Sequence, residues 1–386
     1  MLDLFRLSEV FYLFALLLFV VETAKLMAVW MTRKYPDPHS PHASPFISVI
    51  IPVRNEEARI ARCLSAITGQ TYPPDRFEII VADDHSDDQS RNIIESFRDT
   101  HHTLRVIASD PLPDGWDGKS FANHQAAKQA SGEFLVFMDA DVFANPNLLG
   151  QLVNHTVKHR LDVVSIIPFR LLRAPFEKIL LTPIFIPIAI AFREKKVKLS
   201  GELILFRRST YEAIGGHAAI KSTVSDDLDF AALLEKTSFR TDILFAEHLA
   251  GTHMYSDFQA FFEGISKFYQ RILSENEWLA AWRSTKYFLF ALLSIAAICQ
   301  YYYGHGPQIL PQWTLLLLPT LLLLVFTSFS FYVKINPHYA LLMPLGWLFQ
   351  PVLFFRSLLG KHRHYHLWRG RRVHHNTQQV SDELRE

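Results

Sequence analysis

Residues 134–146 read FLVFMDADVFANP. Five residues suited to a buried strand, Phe134 to Met138, run straight into Asp139 and Asp141, and Pro146 soon rules out a continued regular strand. Two carboxylates at the end of an apolar strand have two readings. They hold a divalent cation against a phosphorylated ligand, or they are solvated turn residues. With one residue between them on an extended backbone, both side chains point alike and can serve one ligand.

Around this stretch the chain alternates short apolar runs (FISVIIPV, FEIIVAD, LRVIAS, EFLVFMDAD, DVVSIIPF) with helical patterns such as EEARIARCLSAI and SFANHQAAKQA. That alternation predicts an α/β fold with a Rossmann-like, mostly parallel sheet beginning after Phe46. Ligands of such sheets bind beyond the carboxyl ends of the strands, where the acids stand.

The flanks are apolar. Residues 10–31 are long enough to cross a bilayer, and Thr32, Arg33 and Lys34 follow, a basic flank that favours the cytoplasmic side. The length of the run and the absence of a small-residue cleavage site favour a retained anchor (residues 1–34) over a cleaved signal peptide. Glu22 and Lys25 either pair on one helix face or mark where the helix leaves the hydrocarbon. Residues 35–45, YPDPHSPHASP, read as a linker. The catalytic domain is expected over residues 46–280, with membrane segments over 281–360. Within these, 286–303 and 313–333 are good spanning candidates, and 338–360, with Pro344 and Pro351, is expected to be bent or re-entrant. That arrangement keeps the basic tail, 361–386, cytoplasmic. Residues 179–198 are too short and proline-interrupted for a span and read equally as an interfacial segment or as core.

With 39 basic and 38 acidic residues, the charge gives no support for a nucleic-acid partner. Cys63 and Cys299, the only cysteines, are far apart, which argues against a disulfide framework. The histidines of the tail (362, 364, 366, 374, 375) are mixed with arginines and read as surface cations before zinc ligands.

Other polar clusters accompany Asp139 and Asp141. Glu56 and Glu57 open a helix after the SVIIPVRNEE strand, which also suits a capped helix start. Asp83 and Asp84 end the FEIIVAD strand, where a carboxylate can accept from a base or ribose hydroxyl, or simply form a polar loop. In DGWDGKS, Gly118 permits close backbone approach and Lys119 offers a positive charge at a helix start, a phosphate contact without the spacing of a Walker A loop. Ser225, Asp226 and Asp227 precede LDFAALL as a helix cap would.

In order and spacing, these pieces resemble the family 2 glycosyltransferases of the GT-A fold over about residues 46–260. The resemblance implies that Pro52, Arg54, Asn55 and Glu56 form the first nucleotide-binding turn. It places Asp83 and Asp84 on base and ribose, although His85 stands where the family usually has glycine. It implies Asp139 near the nucleotide and Asp141 on the metal and diphosphate. Glu202 stands where glutamine is commoner, in a segment carrying an R-x-x-Y and a GGH turn. The SDDLDF segment resembles the acceptor-side motif, which makes Asp227 the expected catalytic base with Asp226 beside it. Within the family, GWDGKSFANHQ, the GGH turn, residues 253–268 and the WRGRR tail look most like enzymes that glycosylate carotenoid, hopanoid-associated or ceramide-type lipids, although Val373 and His374 replace a tyrosine frequent there. Gln270 and Trp278 lack the Q-x-x-R-W spacing of processive synthases.

The expectation is therefore an inverting glycosyltransferase of the inner membrane, its catalytic domain cytoplasmic. It moves a sugar from a nucleoside diphosphate donor, UDP-hexose by preference, to a lipid acceptor. Asp141 and Asp139 hold magnesium or manganese, Asp227 takes the acceptor proton, and Asp83, Asp84 and Lys119 seat the nucleotide. A processive polysaccharide synthase is one rival. A non-catalytic transporter or scaffold is the other, disfavoured by the scarcity of charge within the candidate spans.

Overall fold

The computed structural model describes residues 2–38, 44–223, 225–304, 311–361, 365–368 and 371–374. Linker residues 39–43 and tail residues 362–364, 369–370 and 375–386, with His362, His364 and His375, lie outside the described residues. The chain divides into an α/β unit (33–171, 196–254, 363–386) and a helical unit (1–32, 172–195, 255–362).

The α/β unit is built on β1 (Ile47–Val53), β2 (Phe77–Asp83), β3 (Leu104–Ala108), β4 (Phe134–Met138), β5 (Val142–Ala144), β6 (Val163–Ile167), β7 (Phe169–Arg170), β8 (Leu203–Arg207), β9 (Thr241–Phe245) and β10 (Ala250–Thr252). Seven of these form one sheet in the order β3-β2-β1-β4-β8-β6-β9, and β5, β10 and β7 form a second, three-stranded sheet. Every residue of β1, β2 and β4 is buried. That matches their unbroken apolar runs, since a central parallel strand is covered on both faces. The helix Ile60–Thr68 buries Ile60, Cys63, Leu64 and Ile67 on one side. On the other, Gly118–Gln129 lays Ala122, Ala126 and Ala127 against the sheet.

Register decides what meets at the sheet's edge. β1 runs parallel to β2 with Val53 opposite Asp83, and parallel to β4 with Ile50 opposite Phe137, so the polar turns after all three strands emerge together. The strands and both helices expected from sequence are present, but the first helix begins at Ile60, so Glu56 and Glu57 lie in the turn before it and not in its first turn. What the periodicity did not indicate is β8, which enters antiparallel between β4 and β6. Its reversed direction pairs Leu203 with Met138, so the residues that precede β8, Gly201 and Glu202, arrive beside the turn that follows β4.

The helical unit contains Leu2–Met31, a π-helical turn Glu177–Leu181 leading into Thr182–Glu194, then Phe258–Glu275, Glu277–Tyr303, Leu317–Tyr332 and Pro344–Lys361. Residues 179–194 therefore belong to this unit, and Trp347 Nε1 donates to the Pro183 carbonyl at 2.9 Å. Trp347, Tyr287, Phe19, Phe290 and Phe326 form its buried aromatic centre. Among the described residues, three segments, Glu9–Met31, Glu277–Tyr303 and Gln312–Tyr332, are long and apolar enough to cross a membrane. The 338–360 stretch instead breaks into a 3-10 turn, Pro337–Leu341, and a helix that contains Pro351, and it is not among those segments. Glu22 and Lys25 do pair, at 3.3 Å, and Glu22 also accepts from Lys286 at 2.8 Å and Tyr287 Oη at 2.6 Å. The two cysteines are free thiols.

Candidate active site

The loops after β1 and β2 are stitched together by backbone donors. Asn55 N donates to Ser86 Oγ at 3.1 Å, Glu56 N to Ser90 Oγ at 2.7 Å and Glu57 N to Asp88 Oδ2 at 3.0 Å, while Asp87 N donates to Asn55 Oδ1 at 2.8 Å. Arg54 reaches across to the carbonyls of Asp84 at 2.5 Å and His85 at 3.1 Å. Asp83 Oδ1 accepts from the Ser86 hydroxyl at 2.6 Å. The position with histidine in place of glycine proves to be left-handed, His85 at φ 54° and Asn55 at φ 52°. Histidine and asparagine enter that region more readily than bulkier residues.

Asp139, Ala140 and Asp141 occupy the turn between β4 and β5, where Val142 N donates to the Asp139 carbonyl at 3.1 Å. The aspartates therefore do not share a strand face, as extended backbone would have arranged. The turn sends them to different neighbours. Asp139 Oδ1 lies 2.7 Å from Lys119 Nζ, and the same ammonium lies 3.0 Å from Asp226 Oδ2. Lys119 is positioned by the Gly118–Gln129 helix, which Asp117 caps by accepting from the backbone of Lys119 at 3.0 Å and Ser120 at 3.3 Å. Asp141 lies within the electrostatic influence of Glu56 and Glu202, which raise its carboxyl.

Asp226 and Asp227 open the helix Asp226–Glu235. Ser225 does not cap it through its side chain but donates its hydroxyl to Asp227 Oδ1 at 2.6 Å, and Leu228 N donates to the same oxygen at 2.9 Å. Asp227 Oδ1 is thus held at the helix start by two donors. Gly201 explains how closely these acids approach β8: a Cβ there would meet Asp226 Oδ1 at 3.2 Å and Asp227 Cγ at 3.5 Å. The R-x-x-Y and GGH segments form the floor. Tyr211 Oη bonds His217 Nδ1 at 2.8 Å, and both Gly215 and Gly216 have positive φ.

The Glycosyl transferase family 2 profile matches residues 48–224. Residues 48–224 are a family 2 glycosyltransferase domain. The chain is 38% identical over 97 residues to the glycosyltransferase AglE of Haloferax volcanii, a match covering 25% of this chain and 31% of that protein. It is 26% identical over 233 residues to the 4,4'-diaponeurosporenoate glycosyltransferase of Staphylococcus haemolyticus, covering 57% of this chain and 60% of the relative. Matches to the first curated relatives span 31% or less of those proteins' own length. In structure, the chain resembles a mannosyltransferase from Pyrobaculum calidifontis solved with GDP-Man and Mn2+, at TM-score 0.55 and 18% identity, over 86% of this chain and 97% of that one. That likeness concerns the fold, which is GT-A.

Electrostatics of the glycosyltransferase domain follow from six carboxylates (Glu56, Asp139, Asp141, Glu202, Asp226, Asp227) set around three cations. Lys119 pairs with Asp139 and Asp226, Arg59 with Glu56 at 2.9 Å and Arg170 with Glu202 at 2.8 Å. Burial, then Glu56 and Glu202, push the Asp141 carboxyl up to about 6. Burial, then Asp226 and Glu202, push Asp227 to about 6 as well. Burial also raises Asp139 against the pull of Lys119, although 32% of its side chain is exposed and solvent offsets part of that cost. Asp226 moves the other way, because Lys119 outweighs its burial. His217, driven down to about 3 by burial, stays neutral beneath them.

Asp141 Oδ1 is buried without a hydrogen-bond partner. An orphaned carboxylate oxygen among surplus negative charge is a hard donor set that fits magnesium or manganese. The residues expected from sequence divide into two groups. Glu56, Lys119, Asp139, Asp141, Asp226 and Asp227 converge, while Arg54, Asn55, Asp83 and Asp84 build the adjoining double loop; Pro52 lies in β1 and lines a small cavity with Lys119 and Asp139. Sequence reasoning noted Glu202 only as a departure from glutamine. Its carbonyl accepts Asp139 N at 3.0 Å, and its carboxylate influences both Asp141 and Asp227. The one hint in the sequence was an acid in an otherwise apolar GELILF run.

Proposed function

We propose that the protein is an inverting glycosyltransferase, transferring a hexose-type sugar from a nucleoside diphosphate, UDP by preference, to a hydroxyl or carboxyl of a lipid. The observation that carries this reading is the double ion pair of Lys119, which ties the DxD acid Asp139 to the acceptor-side acid Asp226, so that donor and acceptor machinery meet at one point.

Asp141 and Asp139 are the residues that would hold magnesium or manganese, whose charge stabilises a leaving diphosphate when the ion is bound. The loops at 54–57 and 83–90 seat the nucleotide, with Asp83 and Asp84 toward base and ribose and Arg54 bracing them. Lys119, at a helix N-terminus, supplies positive charge to phosphate oxygens. Asp227 accepts the proton of an acceptor hydroxyl as its oxygen bonds to the anomeric carbon, and the bond to the nucleoside diphosphate breaks on the opposite face. A carboxylate acceptor arrives already ionised and depends less on this base.

The lipid acceptor is supported by the apolar helices on both sides of the domain in sequence and by the likeness to a 4,4'-diaponeurosporenoate glycosyltransferase. A lipid acceptor stays in the bilayer while a nucleotide sugar is soluble, so an enzyme joining them belongs at the boundary. We place it in the inner membrane, with residues 46–280 as the catalytic domain and that domain cytoplasmic, on the basic flank at Arg33 and Lys34.

The test is to incubate membranes carrying the protein with labelled UDP-sugars, with and without EDTA, and to mass-analyse the organic extract. A new glycolipid that disappears with chelator is the expected result. Labelled polymer in the aqueous phase would replace the lipid reading with a synthase. No product, with nucleotide still bound, would leave a binding module.

A further inference from the structure

The α/β unit holds a second cluster of metal-ligating side chains, apart from the acids described above. His155 lies in the last turn of the helix Leu148–Lys158 and His159 follows immediately after it, four residues on, so the two rings share one face with centroids 4.4 Å apart. Asp37, from the segment that leads into the domain, places Oδ2 3.3 Å from His155 Nδ1 and 3.0 Å from His159 Nε2. One ligand atom from each of the three lies within 4.8 Å of the others. Donors at about 2.1 Å from a transition ion stand about 3.0 Å apart in an octahedral arrangement and about 3.4 Å in a tetrahedral one. The measured spacings from Asp37 fall in that range before any ion is placed.

A second, independent feature points the same way. The His155 side chain is only 7% exposed, yet neither ring nitrogen makes a well-formed hydrogen bond. Its Nε2 faces Asp242 Oδ2 on β9 at 3.8 Å, and Asp242 is itself held by Lys34 Nζ at 2.8 Å. A histidine that ligates metal through one nitrogen characteristically gives the other N–H to a carboxylate, which fixes its tautomer. Here the Asp242 carboxylate stands 3.8 Å away, a small shift from accepting that N–H. An open pocket lined by Lys34, Asp37, His155, His159, Arg240 and Asp242 gives access from solvent.

We propose that Asp37, His155 and His159 form a site for a zinc-class transition ion, with Asp242 orienting His155. The mixed nitrogen and oxygen set separates it chemically from the all-oxygen cluster around Asp141, which suits magnesium or manganese. One competitor is visible: Lys158 Nζ lies 3.0 Å from Asp37 Oδ1. Its side chain is 60% exposed and can withdraw into solvent when an ion takes that carboxylate.

The experiment is equilibrium binding of zinc, and of cobalt followed by its visible absorption, to the full chain in detergent with excess magnesium present. One zinc per chain is expected, retained by Asp141→Asn and lost in His159→Ala. Asp242→Asn should weaken it about 10- to 100-fold, and Lys158→Met should tighten it. Because His159 is half exposed, its variant should melt with the wild type in the absence of zinc, which separates lost ligation from lost fold. Zinc binding unchanged by His159→Ala, or no stoichiometric binding at micromolar zinc, would show that Asp37 makes only an ion-pair clamp and would overturn the proposal.

Discussion

Lys119 Nζ lies 2.7 Å from Asp139 Oδ1, and the two residues come from opposite ends of a helix–strand pair: Lys119 from the start of the helix Gly118–Gln129, Asp139 from the turn after β4. The same ammonium reaches Asp226. One cation thus sits between acids from two motifs, while Asp141 and Asp227 on either side have no lysine or arginine paired to them at ion-pair distance among the described residues.

That asymmetry separates the two neighbouring aspartates. Asp227→Asn removes the proposed base and should lower sugar transfer to a hydroxyl acceptor by about 10²- to 10⁴-fold with little change in donor affinity. Asp226→Asn instead removes a partner of Lys119 and should disturb donor binding as well. Single-turnover rates and nucleotide titrations on both variants decide this. Equal losses of affinity in the two would contradict the division of roles.

The pH profile should carry the mark of Asp227. With its carboxyl at about 6, the residue is protonated and idle below that value, so kcat/KM should fall on the acid side with a midpoint near 6, well above the usual aspartate range. Glu202→Gln removes a negative neighbour and should move the midpoint down. The check is the pH profile of the wild type measured side by side with that of Glu202→Gln.

Asp141, the proposed cation ligand, should cost the protein stability when no cation is bound. A folded-state carboxyl at about 6 against an ordinary 3.8 favours folding fully only below pH 3.8, and that contribution is lost as pH rises through 6. At pH 7 in EDTA, Asp141→Asn is therefore expected to be more stable than wild type by about 1–3 kcal/mol. Manganese should raise the wild-type melting temperature and have a much smaller effect on the variant. Thermal melts with and without metal measure both.

His85 offers a test of the double loop. Its φ of 54° suits glycine, so His85→Gly should fold normally and keep nucleotide binding. His85→Val places a β-branched residue in the left-handed region and should cost about 1–2 kcal/mol. Denaturant melts compared with nucleotide titration would show whether the loop's geometry, more than the imidazole, matters.

Much of this molecule was legible in the sequence because strands buried on both faces write themselves as unbroken apolar runs. β1, β2 and β4 did so, and the acids at their ends followed from where such strands stop. Local sequence also located the helix starts at Gly118–Lys119 and Ser225–Asp227, since polar residues gather next to the helices they begin. It could not give the direction of β8, because LILFR reads alike forwards and backwards as an apolar strand. Only the sheet's long-range hydrogen bonding decided that Leu203 lies opposite Met138, and with it that the Glu202 carbonyl accepts Asp139 N and its carboxylate raises both Asp141 and Asp227. The same holds for Asp37 beside His155 and His159. Residues more than 100 positions apart meet through tertiary packing, and no local pattern in the chain records such a meeting.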